Sequence, residues 1–286
     1  MPDKDILKNI KKLRELTGVG FKDCKLAIDE NNGDIEKSID YLRKKGIAKA
    51  SKKMNRTASE GLALLEEKNG EVSILEVNSE TDFVAKNKEF VNFCKELSII
   101  NFKEKANLEK LKATKMENGI SVEENLINLI SKIGEKIIIR RATFFDKSNG
   151  KNFHYIHSAQ EKKIGKIVSV VKLNSNEDKN KDLGLKLAMH VAASNPLSID
   201  SSDLKKDIIK KEEEIIKEEL KNSGKKTEMI DKIASGKLNK FINDNTLLNQ
   251  PWIIDPKKKV KDILKDFGGD NLKIIDFIRF KVGEGV

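Results

Sequence analysis

Cysteine is nearly missing from this chain. Only Cys24 and Cys94 occur, far apart and each inside an apolar helical pattern. Two such residues do not make a disulfide framework, so a reducing compartment is the simpler expectation. Histidine is as sparse. His154, His157 and His190 have neither the HExxH nor the Cys/His spacing of a metal site. Glycine-rich phosphate cradles of the GxGxxG or GxxxxGK[ST] type and a GxSxG nucleophile elbow are also lacking. Paired carboxylates abound, but in so charged a chain they read as solvated helix faces. The expectation is a binding protein rather than an enzyme, with no cofactor, no metal and no direct contact to a nucleotide. No apolar run approaches the roughly 18 residues of a membrane-spanning helix. The start, MPDKDILKNI, has no signal-peptide core. A cytoplasmic, non-membrane protein is therefore expected. Aromatics make up 5% of residues, so an exposed one needs a reason.

Charge is what the chain has in excess. The formal net charge is +10, which first suggests nucleic acid. Arginine, however, is confined to Arg14, Arg43, Arg56, Arg140, Arg141 and Arg279, and lysine fills nearly every other basic position. Lysine, isoleucine and asparagine rise together as they would under an AT-rich coding bias. Lysine is also poor at bidentate base readout. An acidic protein partner suits this surface equally well, and direct nucleic-acid binding is the less favoured alternative. The runs GLALLEE, EVSILEV, EKIIIRR and KIVSVVKL can each be buried, so the chain is globular.

Several segments can be told apart. Residues 1–45 hold three short helices: Asp5–Leu16, Phe21–Glu30 and, capped by Asp34, Ile35–Lys44. Residues 46–57 are polar and basic and read as a linker, in part helical. From 58 to 148 the pattern turns to strands. GLALLEE and EVSILEV flank Asn69-Gly70, a strong hairpin signal. Helices follow at Phe90–Phe102 and Val122–Gly134. Residues 149–202 and 244–286 form a second strand-rich unit, whose last strand is expected to complete its sheet. Between them, 203–243 read as a helical hairpin broken at Ser223-Gly224-Lys225. Its thin apolar stripe of Leu204, Ile208, Ile215, Ile216 and Leu220 either belongs to a solvated helix pair attached to the core or serves a partner contact.

An internal repeat sharpens this picture. VSILEVNSETD, from Val72, resembles IVSVVKLNSNED, from Ile167, with Ser73/Ser169, Val77/Leu173, Asn78-Ser79/Asn174-Ser175 and Asp82/Asp178 at one offset. Each copy is preceded by strand-like sequence, Gly61–Glu66 for the first and Ile137–Phe145 with Phe153–His157 for the second. Each is followed by a helix, Phe90–Phe102 or Leu183–Ala193. Two related α+β subdomains with antiparallel sheets are expected. The copies part after the aspartate. The second continues Lys179-Asn180-Lys181, while the first places Phe83-Val84. The turn is thus made without an aromatic once, which leaves Phe83 free to be an exposed, rigid wedge for a partner. The competing possibility is a hydrophobic staple, with Asp82 as helix N-cap.

The motifs LRELTGVGFKDCKLAI, LEVNSETDFVAKN, KIGEKIIIRR, MHVAASNPL, NQPWIIDPKKKV and FIRFKVGEGV, in that order, resemble the bacterial-type elongation factor Ts family over nearly the whole chain. That resemblance implies an N-terminal domain similar to a ubiquitin-associated domain, a two-subdomain core and a protruding helical hairpin. It implies a guanine nucleotide exchange factor whose partner is elongation factor Tu. By the same analogy Thr81, Asp82, Phe83 and Val84 reach the partner's nucleotide-binding domain and disturb its Mg²⁺ site. Val19, Gly20, Phe21 and Lys22 form a second contact, and Met189 and His190 a third. His190 is equally readable as a packed histidine.

Overall fold

The computed structural model describes residues 3–17, 19–105, 108–175, 177–222 and 227–286. Helices α1 (Asp3–Thr17), α2 (Phe21–Glu30) and α3 (Ile35–Lys53) enclose a small core of Ile10, Leu13, Cys24, Ala27, Ile28 and Leu42. Asp34 caps α3 by accepting from the Lys37 amide at 3.0 Å. The helix then runs well past Lys44, through much of the segment read as linker. Packing overrides the polar composition there. Gly46 lets α3 approach Ser131, and Ala50 is buried in the core of the next layer.

That layer begins with β1 (Glu60–Lys68) and β2 (Glu71–Ser79), paired antiparallel with Leu64 opposite Leu75. Asn69 and Gly70 both take positive φ, 55° and 80°, as the tight hairpin requires. Helices α4 (Asp82–Ala85), α5 (Lys88–Glu104), α6 (Leu108–Ala113) and α7 (Val122–Ile133) follow. The chain returns as β3 (Ile137–Phe145), which pairs with β2. Ile137–Phe145 therefore belongs with the first copy of the repeat, not in front of the second. Strand pattern alone does not say which sheet a strand will join.

Strands β4 (Lys151–His157), β5 (Ile164–Gly165) and β6 (Ile167–Leu173) come next, then α8 (Lys181–Ser194), α9 (Lys206–Asn222), α10 (Thr227–Asn245), α11 (Val260–Gly268) and β7 (Ile274–Lys281). One sheet runs β3-β2-β1-β5 and the other β4-β6-β7, both antiparallel. The fold is α+β, and the last strand completes the second sheet.

Strand alternation sorts the side chains into layers. Leu62, Leu64, Leu75 and Val77 face α5 and α7, while Ala63, Leu65, Val72 and Ile74 meet Val168, Val170 and Phe280 of the second sheet. Val171 and Leu173 point the other way, onto Leu183 and Leu187 of α8. The order is helix, sheet, sheet, helix. Each sheet is covered on both faces, which is why β2 is buried from Val72 to Ser79. Helices α9 and α10 form a hairpin with its own core of Ile216, Leu220, Ile230 and Ala234, so Ile216 and Leu220 of the stripe pack within the pair. The expected break at 223–225 lies outside the described residues. Ile215 stays exposed.

Candidate functional site

Where β2 ends, Ser79 Oγ donates to the Thr81 carbonyl at 2.9 Å and the chain turns. Thr81 is the N-cap of α4: its backbone is extended, and its hydroxyl accepts from the Val84 amide at 3.5 Å. Asp82, read from sequence as a possible cap, is instead the first helical residue. Its carboxylate pairs with Lys86 at 2.7 Å. The Lys86 hydrogen bond holds the Asp82 carboxyl below its ordinary range, opposed by slight desolvation. Two residues after α4 ends, Asn87 caps α5, accepting from the Glu89 and Phe90 amides. So α4 is a single turn between a strand end and a long helix.

On one turn of helix, neighbouring side chains point in different directions. Val84 and Ala85 are buried in the core of the first layer. Phe83 is consequently thrown outward and is 80% exposed. No other large apolar side chain among the described residues is as exposed; the next, Leu16, stands at 60%. The staple alternative is excluded, because Phe83 touches no core. The turn is also fastened from outside. Thr81 donates through its amide (3.0 Å) and its hydroxyl (2.8 Å) to the two carboxylate oxygens of Glu135. Glu135 lies in the KIGEKIIIRR motif, but no local pattern there signals a pairing with a residue so distant.

The second group sits on the N-terminal helices. Gly20 precedes α2, and its carbonyl accepts from the Asp23 and Cys24 amides, both at 3.1 Å. Val19 is half-buried against the three-helix core, while Phe21 and Lys22 are exposed. The third group lies on α8. Met189 is half-buried, but His190 is wholly buried. The packed alternative is thus the one the structure holds, and His190 has no surface to offer a partner. Its ring stacks on Trp252 with centroids 5.2 Å apart. The three groups sit on different elements, against different hydrophobic cores. Among the described residues no cluster of three or more His, Cys, Asp or Glu side chains could hold a metal. Among them, too, no helix is long and apolar enough to cross a membrane.

His190 carries a pH prediction. Its Nδ1 accepts from the Ile253 amide at 3.4 Å, which leaves Nε2 to donate to Gln250 Oε1 at 2.9 Å. A second proton would set two N–H groups against each other. Burial lowers the imidazole pKa below the ordinary 6.5, opposed by the Gln250 bond, and burial likewise lowers that of His154. With the folded pKa depressed, both groups leave stability intact above pH 6.5 and erode it as pH falls through the folded values. Thermal melts should lose midpoint between pH 7 and pH 5, with a shallower slope for His190→Gln. Equal slopes in the two proteins would rule out this role for His190.

Comparison with known proteins agrees with the motif order. The family described as "Elongation factor TS" matches residues 80–284. Elongation factor Ts of Nitrobacter hamburgensis is 41% identical over 282 residues, covering 97% of this chain and 92% of its own. Elongation factor Ts of Rickettsia prowazekii is 42% identical over 284 residues, with 97% and 91% covered. With the match extending over both sheets, the α4 turn and the helical hairpin, the chain belongs to the elongation factor Ts family.

Proposed function

We propose that this chain is a guanine nucleotide exchange factor for elongation factor Tu, working in the cytoplasm through binding alone. The observation that carries this is Phe83: a rigid aromatic, 80% exposed, on a turn whose neighbours Val84 and Ala85 are anchored in the core. An exposed phenyl on a fixed base can enter a partner at small entropic cost. Inserted beside the partner's nucleotide site, it would displace groups that hold Mg²⁺ and phosphate. The ion is among the largest charges in such a site, so losing its coordination loosens GDP. Asp82 stands half-buried beside the phenyl and paired with Lys86, Thr81 fixes the turn and Val84 roots it. Val19, Gly20, Phe21 and Lys22, together with Met189, supply further contacts, so that binding does not rest on the wedge alone. The units suited to these tasks are a docking domain (1–45), a wedge-bearing subdomain (58–148), a second subdomain (149–202 with 244–286) and the hairpin (203–243).

The thermodynamics needs no acid or base. A protein that binds the nucleotide-free GTPase more tightly than the GDP-bound form must weaken GDP by the same factor. Stopped-flow release of a fluorescent GDP from factor Tu should accelerate by orders of magnitude when this protein is added. A release rate unmoved at saturating protein would end the proposal.

A further inference from the structure

We infer that Glu135 is the positioning residue for Phe83, acting through Thr81 to hold the α4 turn in the orientation the partner meets; the inference rests on the exchange function proposed above. A helix of one turn has too few internal hydrogen bonds to hold itself in place. The direction of Phe83 must therefore come from what anchors α4. From inside, Val84 and Ala85 are anchored in the core. From outside, two consecutive residues after the Gly134 cap of α7 take hold of the two residues before Asp82. Glu135 accepts from the Thr81 amide and hydroxyl. The Lys136 amide donates to Glu80 at 2.5 Å, and Arg56 donates to both oxygens of the same carboxylate at 3.3 Å.

The Glu135 bond also sets the cap. A threonine hydroxyl has one proton and rotates to suit its partners. Committing that proton to Glu135 turns a lone pair toward the Val84 amide, which closes the helical turn. With Glu135 gone, the hydroxyl is free to rotate, and the core anchors Val84 and Ala85 with the Glu80 grip are left to hold a turn whose cap is loose. The grip extends to the N-terminal helices, because Lys136 Nζ donates to the Met54 and Arg56 carbonyls at the end of α3, both at 2.7 Å. Wedge, α7 and the exit of the N-terminal helices therefore meet at one junction.

A residue that aims the wedge and a residue that only supports the fold differ in what they change. Loss of folded protein moves the half-saturating concentration; a misdirected wedge lowers the rate at saturation. GDP release from factor Tu is to be titrated with the parent protein, Glu135→Ala, Glu135→Gln, Phe83→Ala and the Glu135→Ala/Phe83→Ala pair. The expected result for Glu135→Ala is a maximal rate lower by about tenfold with a half-saturating concentration changed by less than about twofold. Glu135→Gln should fall between, since its amide oxygen can accept only one of the two bonds well. In the Phe83→Ala background, Glu135→Ala should change nothing further, because its effect passes through the missing ring. The inference is overturned if Phe83→Ala slows release while Glu135→Ala does not. It is overturned equally if Glu135→Ala costs the same factor with and without Phe83. A Phe83→Ala protein as fast as the parent would instead bring down the wedge itself.

Discussion

Phe83→Ala is expected to slow GDP release at saturation by about thirtyfold to several hundredfold, the range set by losing a 2–4 kcal/mol aromatic hot spot. The free protein should scarcely notice the change. A ring that is 80% exposed contributes little packing, so its loss belongs with surface substitutions, within about 0.5 kcal/mol of neutral. Unchanged thermal melts would therefore accompany a large functional loss. The equilibrium counterpart is as important. An exchange factor works by preferring the nucleotide-free partner, and the wedge is the element that competes with Mg²⁺ and phosphate. Removing it should shrink the ratio of affinities for nucleotide-free and GDP-loaded factor Tu, while the contacts around Phe21 and Met189 keep the proteins associated. Phe83→Leu, which retains an apolar but smaller and less rigid side chain, should recover part of the rate. An alanine variant that releases GDP as fast as the parent would mean that Phe83 is exposed for some other reason.

That residue was legible because the chain repeats itself. The second copy makes the same strand and turn without an aromatic, which marks Phe83 as surplus to the architecture. The Asn69-Gly70 hairpin was legible too, since only a few residue types adopt positive φ at both turn positions. What escaped were decisions made at a distance. Thr81 and Asp82 are both good caps, and the choice between them depends on where the extended backbone of β2 gives out. The continuation of α3 to Lys53 depends on a surface of α7 that Gly46 and Ala50 fit. His190 lies on a helix with apolar residues around much of its circumference, so its sequence could not say whether the ring faces Trp252 or solvent. Glu135 and Thr81 are 54 residues apart. No local pattern joins them.

The same holds for the glutamate inside EVSILEV, whose loss should be among the most damaging changes to the fold. Glu76 is wholly buried in the middle of β2. Its carboxylate accepts from Arg140 Nη1 at 3.0 Å, Arg141 Nε at 2.5 Å and the Gly283 amide at 3.0 Å. Adjacent strand residues ordinarily point to opposite faces. Here the pairing of β2 with β3 slips between Glu76 and Val77, so that Arg140 is the extra residue of a bulge and both guanidiniums reach one carboxylate. Each arginine then holds the end of the chain. Arg140 donates to the Glu284 carbonyl, and Arg141 donates to that of Lys281 at 3.1 Å while lying 4.3 Å from the Phe280 ring centroid. Gly283 completes the buckle with φ 76°, where a Cβ would sit 2.0 Å from the Ser59 carbonyl oxygen. The RFKVGEG motif is thus a fastening between the two sheets. Removing one side of a buried ion pair costs about 3–5 kcal/mol. Because both arginines keep some access to water, Glu76→Ala should fall near the lower figure, about 3 kcal/mol, and lower the melting midpoint by about 6–12 °C. Glu76→Gln, which keeps the shape but not the charge, should lose less. Gly283→Ala should be destabilised as well, since the added methyl leaves the chain end no place against Ser59. None of the three should alter the maximal rate of GDP release below its melting temperature, because the α4 turn is anchored independently by Val84 and Glu135. A Glu76→Ala protein that melts with the parent would show that strand pairing through β7 holds the chain end without the carboxylate.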